Sequence, residues 1–214
     1  MKKILIISLL FLLQFSYSQK KFHFNCLLEF ENTEGDSKNI VSYLSNSTNN
    51  GINMFFLKQD VFTFVFTDYA TLGVKSEIKA SSIDDFQYIN VDCADVFKYK
   101  NHFKKKLNDY VFVNLNDTII DGTFYYHYKA MHKRQGKKDK NVHYIVAKDS
   151  PDFMPFFQNQ VNYELWKKQP NVPNGIPFLI YHKDYYGVIT SRMQLKNYTK
   201  IDKYIVIPED CELN

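Results

Sequence analysis

The sequence predicts a mainly β protein, in which a strongly curved antiparallel sheet or half-open barrel carries one or two short helices. Two observations indicate strands. Side chains alternate with a period of two along many short segments, as they do on a strand. Aromatic residues make up 17% of the chain and lie mostly in those segments, and they are typical of antiparallel sheets. A single segment has clear helical spacing, so helices are expected to be a minor part of the fold.

Residues 1–18 are predicted to be a cleaved signal peptide. Lys2 and Lys3 precede a nearly continuous apolar run over 4–15, and Ser16-Tyr17-Ser18 has the small-x-small pattern of a cleavage site. The apolar run is short for a bilayer span, which makes a retained anchor the less favoured alternative. We therefore expect residues 19–214 to form a single β-rich domain that is exported, periplasmic or extracellular, without a stable transmembrane anchor.

Charge argues against nucleic acid as a partner. Removal of Lys2 and Lys3 lowers the formal net charge from +4 to +2, which is too small to favour a polyanion. The 7 Gly and 6 Pro are also too few for a low-complexity or disordered chain.

The three cysteines, Cys26, Cys93 and Cys211, allow one disulfide with one thiol left over. Cys93 and Cys211 share a local context, because each follows an aspartate at the end of an apolar strand. We predict that these two pair, and the alternative is three buried thiols. Export to an oxidising compartment would permit the bond.

The segment 61–67 predicts the most informative strand. Phe62, Phe64 and Phe66 alternate with β-branched residues, and the preceding strand over 52–58 places Met54 and Phe56 on one face. Aligned rings must face either a core or an apolar ligand, since each is worth roughly 1.5–3 kcal/mol when buried. Both faces of these strands are apolar, and one helix cannot cover a whole curved sheet. Either sheet packs on sheet, or Phe62, Phe64, Phe66, Met54 and Phe56 contact a ligand.

The remaining elements are predicted from the same alternation and from turn residues. A helix is predicted over 156–168, where Phe157, Val161, Leu165 and Trp166 share one side, and proline ends it at Pro170. The segment 94–107 is either a loop or a short helix. Further strands are predicted over 22–31, 40–45, 74–80, 86–91, 109–115, 123–132, 142–148, 178–183, 185–195 and 201–208, and turn residues flank 118–120.

Residue patterns for catalysis are missing from the sequence. The six histidines form no H-x-H or HExxH motif, the cysteines form no CxxC, and neither a nucleophile elbow nor a glycine-rich phosphate loop occurs. Asp84-Asp85 is the one acidic pair that would suit a hydrolase, and a turn cap is the simpler interpretation. We therefore predict no enzyme activity, no cofactor and no metal site.

Basic residues cluster over 104–106 and 133–140. The second cluster falls at the tip of a predicted long hairpin between 123–132 and 142–148. A lysine-rich tip is usually a solvated loop, and the functional alternative is contact with an acidic partner or with lipid headgroups.

Gly175-Ile176-Pro177-Phe178-Leu179-Ile180 resembles the Gly-Leu-Pro-Gly-Leu-Ile hexapeptide that names the GLPGLI family of secreted bacterial proteins, which lacks an assigned activity. Phe178 stands where that family has its second glycine. The order of elements is also similar to the LolA/LolB-type fold, a half-barrel closed by helices that carries lipoprotein acyl chains across the periplasm. That resemblance implies that Phe62, Phe64 and Phe66 point into the concave face.

Together these observations favour an exported, non-enzymatic protein that binds an apolar or acylated ligand, such as a lipid or acyl chain, in the concave face of a curved sheet. The alternative is an envelope or surface protein-interaction module that binds another envelope protein.

Overall fold

The computed structural model describes residues 19–58, 62–78, 82–100, 105, 107–134 and 140–211, and it omits the side chains of 57, 58 and 62. The predicted signal peptide therefore lies outside the described residues, as does the 135–139 part of the basic hairpin. The described chain is mainly strand. Its elements are β1 (Gln19–Glu34), β2 (Ser37–Asn46), β3 (Asn49–Lys58), β4 (Phe62–Asp68), β5 (Leu72–Ile78), β6 (Tyr88–Asn90), β7 (Val96–Lys98), β8 (Tyr110–Asn114), β9 (Thr118–Ile120), β10 (Thr123–His132), β11 (Asn141–Ala147), helix α1 (Gln160–Lys168), β12 (Pro177–Lys183) and β13 (Ile189–Pro208).

All thirteen strands belong to one sheet, with the order β7-β5-β4-β3-β2-β1-β13-β12-β11-β10-β8. Neighbours along this path are antiparallel, β9 pairs with β10, and β6 runs parallel to β13. Over the described residues the sheet does not close into a barrel. The predicted mainly β, antiparallel fold class is confirmed.

Several strands differ from their predicted bounds by two or three residues at an end, as β1 and β2 do, and the larger differences are the following. The segments 185–195 and 201–208 belong to a single strand, β13, which pairs along β1 through two register shifts instead of breaking. The chain at 185–188 is a turn, in which Gly187 has a φ of +82°. The segment 94–107 contains a short strand, β7, because Val96 pairs with Val74 at the sheet edge. Helix α1 starts later than predicted, at Gln160, because the Asn159 side chain caps it by accepting from the Asn162 N–H.

The sheet curves around the segment that precedes and includes α1. Phe157 lies at the centre of this segment, and its carbonyl accepts a hydrogen bond from Asn53 Nδ2 of β3 at 2.7 Å. The Phe157 ring also packs against Phe112 of β8, with centroids 5.7 Å apart, and against Tyr144 of β11. Strands from distant parts of the sheet thus converge on one residue, and we call the face that contacts it the inner face.

Phe64 and Phe66 of the predicted phenylalanine row lie on the opposite, outer face. Asn53 and Phe55 take the inward positions of β3, and the period of two therefore turns Met54 and Phe56 outward, with Phe64 and Phe66 beside them on β4. For Phe64 and Phe66, that geometry corrects the expectation, implied by the LolA/LolB resemblance, that the row points into the concave face. The outer cluster is covered by the stretch 83–91, which contributes Ile83, Phe86, Ile89 and Val91.

A second cluster fills the inner face, where Leu28, Phe30, Tyr128 and Tyr144 pack against the α1 segment. Leu165 is the fully buried residue of α1 and turns toward the sheet. Within the described part of the chain, α1 is too short and too polar to cross a bilayer, and no other helix qualifies.

Candidate functional site

The candidate site is a groove on the outer face, which we call the outer groove. It has a volume of about 460 Å³. Its floor comes from neighbouring strands β1, β2, β3 and β13, and its wall from the stretch 82–84. Five of its lining residues are apolar: Leu27, Ile40, Phe56, Ile83 and Ile201.

Cross-strand pairing explains why a groove forms at this position. Glu29 of β1 pairs with Ser42 of β2, and Ser42 pairs with Phe56 of β3. All three side chains line the groove, with the smallest in the middle. Directly opposite residues on a sheet lie about 4.5–5.5 Å apart, so a serine between two larger side chains leaves a depression. The adjacent row, Leu27, Leu44 and Met54, has large side chains throughout and is buried, and only Leu27, at its β1 end, lines the groove.

The wall of the groove is a short capped turn over Ile83–Asp85. The Ser82 hydroxyl accepts from the Asp84 N–H at 3.1 Å, and the Asp85 carboxylate accepts from the Ser82 N–H at 2.7 Å. This reciprocal arrangement is a capping box. Asp85 is therefore held as a structural cap, and the predicted Asp84-Asp85 pair is arranged as a turn.

The covering stretch is anchored to β13 and to the chain after it. Val91 N–H donates to the Val206 carbonyl at 3.0 Å, and a disulfide joins Cys93 to Cys211, the pair suggested by the sequence. Lys203 donates from Nζ to the Phe86 carbonyl at 2.6 Å and lies 4.6 Å above the Phe86 ring. Burial lowers the pKa of the Lys203 ammonium. These contacts hold the wall in place against the end of the sheet.

The charged residues that line the groove are both acidic. Glu29 and Asp84 bring two carboxylates, and Asn197 donates from Nδ2 to Glu29 Oε2 at 2.9 Å. The nearby cation Lys203 is buried, donates to the Phe86 carbonyl and offsets part of the charge of Asp84, whereas Glu29 accepts from the neutral Asn197 amide. The groove thus combines an apolar floor with a negative rim.

The five predicted ligand residues have different positions. Phe56 lines the outer groove. Met54, Phe64 and Phe66 are at most 1% exposed and form the core beneath it. The Phe62 side chain lies outside the described part of the structure. Ligand contact by these residues remains a prediction, and Phe56 is the one that the structure places at a cavity wall.

A cluster of polar aromatic side chains on β10, β11 and β12 was not predicted. His127 Nε2 lies 3.0 Å from His143 Nδ1 and 3.3 Å from the Tyr181 hydroxyl. Burial, followed by the charges of His127, Lys183 and Lys129, lowers the pKa of His143 to about 4. His127 and His143 are diagonal neighbours in the β10–β11 hairpin. The register of the predicted hairpin, had it been known, would have identified these two histidines as neighbours.

A different group, Cys93, Asp210 and Cys211, places potential metal ligands within 4.8 Å of one another. Both sulfur atoms belong to the disulfide, so they are not available as thiolates.

No family model matches the sequence, and no curated protein matches it. The resemblance of 175–180 to the GLPGLI hexapeptide therefore remains a prediction. Gly175, its first residue, does need to be glycine: its φ is +143°, and a Cβ would lie 2.3 Å from the Ala147 carbonyl oxygen.

Comparison with solved structures finds distant similarities. The MucA/MucB complex of Pseudomonas aeruginosa matches with a TM-score of 0.43 and 8% identity, over 85% of this chain and 52% of that one. MucB alone matches with a TM-score of 0.42 and 11% identity, over 89% of this chain and 57% of that one. A LolA superfamily protein from Nitrosomonas europaea gives a TM-score of 0.30 and 12% identity, over 84% and 86%. The chain spans about half the length of the MucB chains. Because these TM-scores lie below 0.5, the similarities define neither a family nor a function for this chain.

Proposed function

We propose that this protein is an exported, non-enzymatic binding protein whose outer groove takes a ligand with an apolar body and a neutral or cationic polar end. The observation that carries the proposal is the open apolar floor of the groove, directly beside a sealed core. Concave, largely apolar pockets with a few polar groups are typical of small-molecule sites.

The apolar part of the ligand follows from the floor. Leu27, Phe56 and Ile201 present carbon surface to the cavity, and Ile40 at its margin is 53% exposed. Each methylene group that leaves water here would contribute about 0.8 kcal/mol. An alkyl or acyl chain is the simplest ligand that fills such a groove without needing hydrogen bonds.

The polar end of the ligand follows from the rim. Glu29 and Asp84 would repel a free fatty-acid carboxylate and attract an ammonium group. The rim therefore distinguishes ligands with an anionic end from ligands with a cationic end, which the floor alone would accept equally.

Export is supported by the signal-peptide pattern of residues 1–18 and by the Cys93–Cys211 disulfide. Disulfides persist in oxidising compartments such as the bacterial periplasm.

Titration with the fluorescent apolar probe N-phenyl-1-naphthylamine tests the proposal. Ile40→Asp places a charge at the groove margin and should weaken binding of the probe, whereas Ile119→Asp changes an equally exposed isoleucine on β9 and should not. Equal binding by the wild type and both variants, or no binding by the wild type, would contradict the proposal.

Competition then tests the rim. Dodecylamine should displace the probe at lower concentration than dodecanoate, and Glu29→Gln should reduce that preference. A preference for dodecanoate would show that the rim does not select the polar end as proposed.

A further inference from the structure

One end of the sheet carries an exposed apolar turn, which we call the β12–β13 tip and define as residues 184–189. Tyr185, Tyr186, Val188 and Ile189 are 45%, 73%, 59% and 54% exposed. Single exposed hydrophobic residues are ordinary on protein surfaces, but a cluster marks an interaction site. The tip is closed by the last β12–β13 pair, Lys183 with Ile189, and is separate from the outer groove.

The tip has a defined conformation. Asp184 N–H donates to the Val188 carbonyl at 3.0 Å, and the Asp184 carboxylate accepts from the Val188 N–H at 2.9 Å. Gly187 supplies the positive φ that the turn requires, and the Tyr185 and Tyr186 rings pack edge to face with centroids 5.4 Å apart. The exposed rings are therefore held ready for contact, and binding would order few additional groups.

Cations lie at the same end of the sheet as the tip, on the side of β10 and β11, and one of them, Lys133, donates from Nζ to the Asn108 carbonyl at 2.7 Å. Lys183 pairs with Asn141, which places Lys140 beside the start of the turn. Lys133 and Arg134 follow β10 at the same end of the sheet and are exposed. We call Lys133, Arg134, Lys140 and Lys183 the basic flank. The acidic groups at this end, among the residues that the structure describes, include Asp184 within the turn, Glu34 and Asp36 at the adjacent β1–β2 turn, and Asp109 beside Lys133.

We propose that the β12–β13 tip docks onto an anionic lipid bilayer, with its aromatic and aliphatic side chains in the interface and the basic flank against the headgroups. Tyrosine side chains favour the membrane–water interface, where the ring is apolar and the hydroxyl stays hydrated. Stable attachment to a bilayer generally takes two signals, an apolar one and an electrostatic one. The tip and the basic flank supply one of each, and their charge fits anionic headgroups.

Flotation with lipid vesicles tests this proposal independently of the outer groove. The protein should float with vesicles of phosphatidylglycerol and phosphatidylcholine in equal parts and remain in the soluble fraction with pure phosphatidylcholine. Binding should weaken as NaCl is raised. Combined Lys133→Gln, Arg134→Gln and Lys140→Gln substitutions should weaken it by about fivefold for each cation removed, from roughly 1 kcal/mol per basic residue at the surface.

A matched pair of variants separates the tip from general surface hydrophobicity. Tyr186→Ser with Val188→Ser should abolish flotation. Ile119→Ser with Phe124→Ser should leave it unchanged, since those residues are about as exposed, at 59% and 58%, but lie on β9 and β10 at the other end of the sheet. No flotation of the wild type, equal binding to both kinds of vesicle, or equal losses in the two variants would overturn the proposal. Each variant should also give the same urea unfolding curve as the wild type, which shows that a loss of flotation is not caused by misfolding.

Discussion

Removing the Cys93–Cys211 disulfide should destabilise the protein strongly. The bond closes a loop with a sequence separation of 118 residues, which includes strands β7 to β12, all of α1 and strand β13. In the chain-entropy model a loop of this length restricts the unfolded state by about 5 kcal/mol, and native disulfides in small secreted domains typically contribute about 2–5 kcal/mol. We expect Cys93→Ser with Cys211→Ser to lower the free energy of unfolding by about 3–5 kcal/mol.

Urea denaturation followed by tryptophan fluorescence measures this loss. With a urea slope of about 2 kcal/mol per molar, the midpoint should fall by about 1.5–2.5 M. Cys93 is exposed, so the serine substitution itself disturbs little packing there. Dithiothreitol should lower the wild-type midpoint to that of the double variant and leave the variant unchanged. One titratable thiol in the denatured wild type would verify that the disulfide is formed. If the double variant then loses less than about 1 kcal/mol relative to that wild type, the loop-entropy reasoning is refuted.

Three further predictions concern His143, Cys26 and Gly175. The pKa of His143 is about 4 in the fold against 6.5 for the free side chain, so the fold favours the neutral ring. The free energy of unfolding should therefore be constant with respect to this group above pH 6.5 and should fall by about 3 kcal/mol as the pH is lowered toward 4. Urea unfolding at a series of pH values measures this loss, and His143→Phe should flatten that part of the profile. Burial raises the pKa of the Cys26 thiol to about 12, so iodoacetamide at pH 8 should label it only after unfolding, and rapid labelling of the folded protein would contradict its buried position. Gly175→Ala should lower the free energy of unfolding by about 2–4 kcal/mol, because the new Cβ would lie 2.3 Å from the Ala147 carbonyl oxygen. Gly122→Ala, where a Cβ meets open space, should lower it by only about 1 kcal/mol. Equal losses in thermal unfolding would show that the close approach at Gly175 is unimportant.

The period of two predicts most strands because it is a local property of the chain. The alternation around Phe64 and Phe66 correctly indicates strand β4. Which face of β4 turns outward is not local, because both faces carry apolar residues. That choice depends on Asn53 reaching the Phe157 carbonyl, 104 residues further along the chain. The alternation therefore predicts the strand, whereas the resemblance to the LolA/LolB-type fold misplaces Phe64 and Phe66 on the concave face.

The outer groove depends on strand register, which alternation alone does not define. Glu29, Ser42 and Phe56 are recognisable as neighbours only when the registers of both hairpins are known. The wall of the groove is similarly hidden, since it follows from β6 pairing in parallel with β13 across more than a hundred residues. In contrast, the similar contexts of Cys93 and Cys211 were enough to suggest their pairing.

The most direct test of the proposed ligand site is photo-crosslinking with an alkyl amine that carries a diazirine on its chain. After irradiation and digestion, mass spectrometry locates the residues that the chain contacts. The proposed outer groove predicts adducts on β2 and β3 near Ile40 and Phe56 and on the wall near Ile83, and competition by dodecylamine should remove them. Adducts confined to the inner face or to α1, or scattered adducts that dodecylamine does not displace, would contradict a binding site in the outer groove.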